Sequence, residues 1–234
     1  MLKYFTKFIL LLFVCHVSSA QVVSQEIKID SLEFNQKYGL RLGSDVSKLV
    51  KSFIDDHYSG FEINGDYRLT HNLYAAGEIG FEEFTTSNNY LNSTATGSYV
   101  KVGFDYNMYE NWFGMENMIY TGFRIGAVSF KQRLNEYTIY QTNQSWPQNM
   151  VISSEEYSGL NTVWGELLIG IKAEVLNNLY FGINAQLRGR ITEKKPNNFE
   201  NIYIPGFGRT YDSGSFGIGY GYNISYLLPF SRKK

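Results

Sequence analysis

The chain has 234 residues with 21 basic and 22 acidic side chains, so its net charge of −1 offers no electrostatic footprint for nucleic acid. A single cysteine excludes a disulfide framework and a thiolate metal site. Thirty-nine aromatic residues (19 Tyr, 17 Phe and 3 Trp) and 22 glycines against four prolines point to β-structure rather than disorder.

At the start, Lys3 and Lys7 precede an apolar run from Phe8 to Cys15, and Ser18, Ser19 and Ala20 supply small residues before Gln21. That order is the pattern of a secretory signal peptide, over residues 1–20 with cleavage near Ala20. The run is far shorter than the ~20 residues of a spanning helix. Cys15 lies inside it, and Val14 before it is a poor match to a lipid-attachment signal. Removing Lys3 and Lys7 leaves 19 basic against 22 acidic residues, a net of −3, and no cysteine. Residues 21–36 then read as a short periplasmic extension, 37–230 as one domain, and 231–234 as a basic tail.

From Lys37 on, apolar and polar residues alternate with the period of strands that have unlike faces. Eight segments follow: Lys37 to Ser44, Tyr58 to Leu69, Leu73 to Phe84, Ser98 to Met108, Met118 to Lys131, Asn161 to Val175, Leu179 to Thr192 and Ser215 to Leu228. Short turns at Thr70 to Asn72, Tyr109 to Asn117 and Leu176 to Asn178 alternate with long connections at Asp45 to His57, Thr85 to Gly97, Gln132 to Leu160 and Glu193 to Gly214. The fold class predicted is all-β: an eight-stranded antiparallel up-and-down transmembrane β-barrel, with short periplasmic turns and long extracellular loops.

In such a barrel the apolar faces turn outward and the polar faces crowd a lumen only wide enough for side chains. The polar faces carry Arg41, Arg68, Lys101, Arg124, Lys172, Arg188 and Arg190 against Glu62, Asp66, Glu78, Glu82, Asp105, Glu166 and Glu174, a balanced set that could pair in a lumen charge network. A soluble sandwich would show the same balance; the signal peptide, loop asymmetry and aromatic placement favour the membrane reading. Tyr38, Tyr58, Tyr67, Tyr74, Tyr106, Tyr109, Trp112, Tyr120, Tyr180 and Tyr226 fall near strand ends, where aromatic girdles form.

The stretch Gly60 to Arg68 and the stretch Leu73 to Glu82 resemble a Bacteroidetes-type family of outer-membrane barrels without an assigned function. In architecture the chain is similar to the small adhesion and virulence barrels and to the barrel half of outer-membrane protein A. The last strand, with Tyr226 and Phe230, looks like the closing signal read by the barrel assembly machinery, although Ser231 to Lys234 follow it. The resemblance implies an outer-membrane location in a Gram-negative bacterium, with lipids and lipopolysaccharide as neighbours, and is silent on activity.

Several segments are candidates for more. Val46, Leu49, Val50, Phe53 and Ile54 recur at helical spacing behind an Asp45 cap, so an interfacial helix is predicted, either resting by lipopolysaccharide phosphates through Lys48 and Lys51 or lidding the barrel mouth. Asp55, Asp56, His57 and Ser59 gather carboxylate, imidazole and hydroxyl, faintly like eight-stranded lipid A deacylases and acyltransferases, whereas a solvated loop end accounts for them equally simply. His71 reads as a turn residue, and Glu82 with Glu83, or Glu155 with Glu156, as a strand end and a solvated loop. Acidic loop residues lack calcium-loop spacing, so no metal and no cofactor is expected. Tyr137, Tyr140, Trp146, Tyr203 and Phe207 lie in long loops, where they either stack on an external glycan or protein partner or pack together. A non-enzymatic structural or interaction barrel is the leading expectation; a lipid-modifying enzyme using His57 and Ser59, and a narrow pore, are the alternatives.

Overall fold

The structure, a computed structural model, describes residues 36–110, 116–139, 150–198, 200–211 and 214–233. The segments read as signal peptide and most of the N-terminal extension, together with Trp112, Tyr140 and Trp146, lie outside the described residues.

Eight long strands occur in chain order: β1 (Gln36–Asp45), β2 (Tyr58–Arg68), β3 (Leu73–Asn88), β4 (Leu91–Asn107), β5 (Met118–Thr138), β6 (Met150–Leu176), β7 (Leu179–Glu193) and β10 (Phe216–Lys233). A helix, α1 (Val46–Ile54), joins β1 to β2, and two short strands, β8 (Tyr203–Ile204) and β9 (Gly208–Arg209), pair within the last long connection. Every long strand is antiparallel to its sequence neighbours, and β10 returns to pair with β1, closing the ring. Closure leaves the long strands no free sheet edge except where neighbours differ in length.

The alternation decides the faces. Ile171 and Ile183, cross-strand partners on β6 and β7, are 56% and 48% exposed, whereas Glu166 and Arg188, partners on the same two strands, are 0% and 8% exposed. Val100, Val102 and Phe104 of β4 likewise point out while Lys101 and Asp105 are buried. Apolar residues line the outside and ionic residues fill the inside. Ion pairs therefore form the interior, with small apolar clusters at its two ends.

Two connections differ from the sequence reading. Thr85 to Gly97 is not a long loop: β3 and β4 continue to a tight turn, where the Asn88 carboxamide oxygen accepts the backbone N–H groups of Tyr90 and Leu91 at 2.9 and 2.8 Å. Likewise β5 and β6 run on to Thr138 and from Met150, narrowing the third loop. At the opposite end Asn178 holds φ +64°, a left-handed conformation that asparagine tolerates, and lets β6 turn into β7.

The four tyrosines Tyr58, Tyr74, Tyr120 and Tyr180 do not join an outer girdle. Their strand parity turns them inward. Tyr180 and Tyr74 lie 4.7 and 5.5 Å from the Arg41 guanidinium, so these rings cover a lumen cation instead of meeting a headgroup. Tyr67, Tyr106, Tyr109 and Tyr226 are exposed.

Candidate functional site

The interior is a continuous ladder of alternating charges. At the short-turn end Arg41 of β1 donates to Asp66 of β2 at 2.7 Å, and Lys172 of β6 donates to the same carboxylate at 2.6 Å. Lys172 also lies 3.5 Å from Asp105, which is 2.8 Å from Arg124. Arg124 passes on to Glu78 at 3.4 Å, and Glu78 to Lys101 at 2.6 Å. Lys101 is the hub: it also reaches Glu62 at 3.3 Å and Glu166 at 3.8 Å, while Arg188 approaches Glu166 at 3.3 Å.

Lys48 completes the ladder, at 2.9 Å from Glu62 and 2.6 Å from Glu82. It comes from α1 and not from a strand. An aspartate cap starts the helix, with the Asp45 carboxylate accepting Ser47 N–H at 2.8 Å. The helix then turns its polar side into the barrel and its apolar side out, leaving Phe53 88% exposed and Val50 and Ile54 exposed beside it, with Val46 and Leu49 half-buried. Lys48 is therefore buried and ion-paired rather than free for phosphates at the surface.

Three residues assigned to the same network from sequence sit at its margins. Arg68 lies 3.6 Å from Glu116, and Glu174 accepts Asn178 N–H at 2.8 Å, both at the short-turn end. Arg190 pairs with Glu193 at 2.7 Å at the long-loop end.

Above the ladder the β8–β9 hairpin folds back into the barrel as a plug. Its Ile204-Pro205-Gly206-Phe207 tip is buried, and Phe207 meets Trp164 edge-on with centroids 6.1 Å apart. Glu82 holds the plug: its carboxylate accepts Gly206 N–H and the Tyr203 hydroxyl at 2.8 Å each, the Tyr58 hydroxyl at 3.2 Å and Lys48 at 2.6 Å. From the other side Arg188 donates to the Phe207 carbonyl at 2.7 Å, and the Gln132 carboxamide bridges Glu200 and Ile202. Tyr203 and Phe207 thus pack inward and present no exposed stacking surface.

Glycine makes this possible at two places. Gly206 has φ +79°, and a Cβ there would come within 2.6 Å of the Tyr99 ring. On β10, the inward Gly217 and Gly219 leave room for the Phe207 ring and the Arg188 guanidinium. The consequence is testable by limited proteolysis of folded protein. Gly206→Ala combines a left-handed strain of about 1–2 kcal/mol with a clash, so cleavage within residues 200–211 should rise at least about tenfold over wild type. An unchanged cleavage pattern would mean that the tip does not depend on this fit.

A cavity of about 20 Å³, enough for a water, lies among Asn64, Asp66, Tyr120, Lys172 and Asn184 in the lower lumen. A second, of about 160 Å³, lies between α1 and β10 and is bordered by Ser47, Lys48, Lys51, Tyr58, Arg188, Ile218 and Tyr220. Beside it the Lys51 ammonium sits 4.0 Å from the Tyr58 ring centroid and 4.9 Å from that of Phe84.

The residues read as a possible hydrolytic group do not form one. His57 is exposed and its backbone N–H donates to Asp55 at 3.0 Å, while Ser59 points to the outer face of β2 and Asp56 is exposed. Among the described residues no hydrogen bond links the His57 imidazole to Ser59 or to a carboxylate, and no cluster of His, Cys, Asp and Glu is placed to hold a metal ion. His71 lies in the β2–β3 turn, where its carbonyl accepts from Arg68 at 3.2 Å. Glu83 accepts the Thr96 hydroxyl at 3.0 Å on an exposed face, and Glu155 and Glu156 are exposed on the extended β6.

Lys48 and the plug are what the residue pattern did not reveal. Lys48 lies on the polar side of the amphipathic helix, and only the direction of that side hides it. The plug had a signal in the run Ile202 to Phe207, where apolar and aromatic residues cluster inside a long connection that is polar on either side.

Comparison with curated proteins found no match. Over residues 1–233, together with this closed, charge-filled barrel, the sequence matches one family along its length, and the chain belongs to it: the family described as Domain of unknown function (DUF6048).

Proposed function

We propose that the protein is an integral barrel of a Gram-negative outer membrane, held by its strands, closed to conduction, and serving a structural or interaction role through its long-loop end. The observation that carries this reading is the inverted polarity: apolar side chains outside, paired charges inside. On β10 the exposed apolar positions run from Phe230 to Phe216, which at about 3.3 Å per residue and a tilt near 40° spans roughly 35 Å, the height of a ~25 Å apolar band with an aromatic girdle at each edge. A soluble barrel with that face in water would expose far more contiguous apolar surface than monomers tolerate.

The filled lumen favours a sealed anchor over a pore, and the separated His57 and Ser59 give no support to lipid hydrolysis. The reading extends to a Bacteroidetes-type relative of the small eight-stranded barrels, delivered by a signal peptide ending near Ala20 and inserted by the barrel assembly machinery. Membrane lipids and lipopolysaccharide surround it, and an external glycan or protein meets the loops.

Two measurements test it. Folded protein in detergent should migrate differently on a gel before and after boiling, and the same material in planar bilayers should give no stepwise conductance. Identical migration would count against the membrane barrel, and regular single-channel steps against the sealed lumen.

A further inference from the structure

The ring is complete at the short-turn end but breached at the other. Strand β1 stops at Asp45, opposite Asn223 of β10, and its pairing with β2 ends at Ile63. Beyond that level β10 continues to Phe216 and β2 to Tyr58 with no strand between them. Helix α1 occupies the breach and seals it unequally. Toward β2, the Ser52 hydroxyl accepts Gly60 N–H at 2.8 Å and lies 3.1 Å from the Gly60 carbonyl, replacing a strand partner. Toward β10, Asp45 accepts Tyr222 N–H at 3.4 Å, and among the described residues no hydrogen bond joins α1 itself to that strand.

The cavity of about 160 Å³ sits in that unsealed side. Its outer lip on β10 carries Ile218, 86% exposed, and Tyr220, 68% exposed. Its inner wall carries Lys48, Lys51 and Arg188 beside the Glu82 carboxylate, and Arg209 lies near Lys51 across the Phe84 ring. Lys48 and Arg188 are matched by Glu82, Glu62 and Glu166, but Lys51 and Arg209 have no carboxylate within ion-pair distance among the described residues. Both surround the Phe84 ring, at 4.9 and 5.5 Å from its centroid. Two cations with no carboxylate partner among the described residues, behind an apolar lip, complement an anionic head that carries a hydrocarbon tail.

We propose that the breach between α1 and β10 is a lateral binding port for a phosphate-bearing, lipid-like amphiphile, drawn from the surrounding leaflet, with Lys51 and Arg209 as counter-charges for its head. The tail stays outside along Ile218 and Tyr220. This rests on the membrane reading, because the lip must face lipid. An α-helix suits the position, since its backbone is internally hydrogen-bonded and can meet lipid where an unpaired strand edge cannot.

The test uses full-chain protein folded in dodecyl maltoside and titrated calorimetrically with dodecyl phosphate or with inorganic phosphate. Wild type should bind one dodecyl phosphate per chain, with inorganic phosphate at least about tenfold weaker. The double substitution Lys51→Gln with Arg209→Gln, and separately Ile218→Glu at the lip, should each weaken dodecyl phosphate by about tenfold or more. Both variants should retain the unboiled gel mobility of wild type, which establishes that they fold; a variant that loses it is replaced by Lys51→Met alone, read by the same titration. Equal affinity for the two phosphates would replace the lipid port with a free-anion pocket. Absence of binding to folded wild type, or binding unaffected by the charge substitutions, would overturn the proposal while leaving the membrane reading intact. Loss of heat-modifiable migration in wild type would instead remove the membrane reading on which it stands.

Discussion

Lys101→Met should be among the most damaging single substitutions in the chain, costing about 3–5 kcal/mol and lowering the temperature at which the compact gel form is lost by about 10 °C or more. Lys101 is buried and serves Glu62, Glu78 and Glu166 together. Methionine keeps much of the volume but strands one negative charge in a space with little room for water. The cost belongs to the surplus charge and not to the contact area, so a second substitution, Glu78→Gln, should recover a large part of it by restoring balance. Lys131→Met is the control. Its 3.4 Å pair with Glu156 is solvent-exposed, and its loss should cost less than about 1 kcal/mol. If Lys101→Met and Lys131→Met melted alike, the ladder would contribute nothing to stability.

A charge on the outer face should be nearly as costly, for the opposite reason. Ile171→Arg or Ile183→Arg places a guanidinium at mid-height on the apolar band and should destabilise the protein in lipid vesicles by about 2–4 kcal/mol, with a much smaller effect for the same change close to the band's edge. In water, an exposed isoleucine accepts arginine at almost no cost. Urea unfolding in vesicles therefore separates the environments directly: depth-dependent destabilisation supports lipid contact, and a flat response would sink the membrane reading.

Which face of each strand points inward was legible because most apolar positions on β4, β6, β7 and β10 recur at period two opposite a face rich in charges, amides and glycines. How far the strands run was not. In Thr85-Thr86-Ser87-Asn88 and in Asn92-Ser93-Thr94, both faces are polar, so the contrast that marks a strand vanishes even though the pairing continues. Threonine's β-branched side chain was the remaining clue, and composition alone reads it as loop. The lumen pairs were legible as a balanced set but not as a sequence of contacts, since register and ring closure decide that Lys101 meets Glu166 across the interior from another strand. The helix followed from its apolar spacing; its orientation did not. An apolar stripe ordinarily faces a core, and here the core is ionic, so Lys48 turns in and Phe53 turns out.

The length of β6 has a consequence of its own. Its 27 residues far exceed the ~9–11 that cross a bilayer, and beside β5, which β4 and β3 flank in turn, it carries the sheet on to Thr138 and Met150. On the membrane reading, at about 3.3 Å per residue and the usual tilt, that extension would carry its tip roughly 30–40 Å past the lipid surface. Whatever first touches this molecule from outside meets it at a stand-off comparable to the depth of a sugar coat, so shortening the extension should hide the tip from large probes such as antibodies while sparing access for small ones.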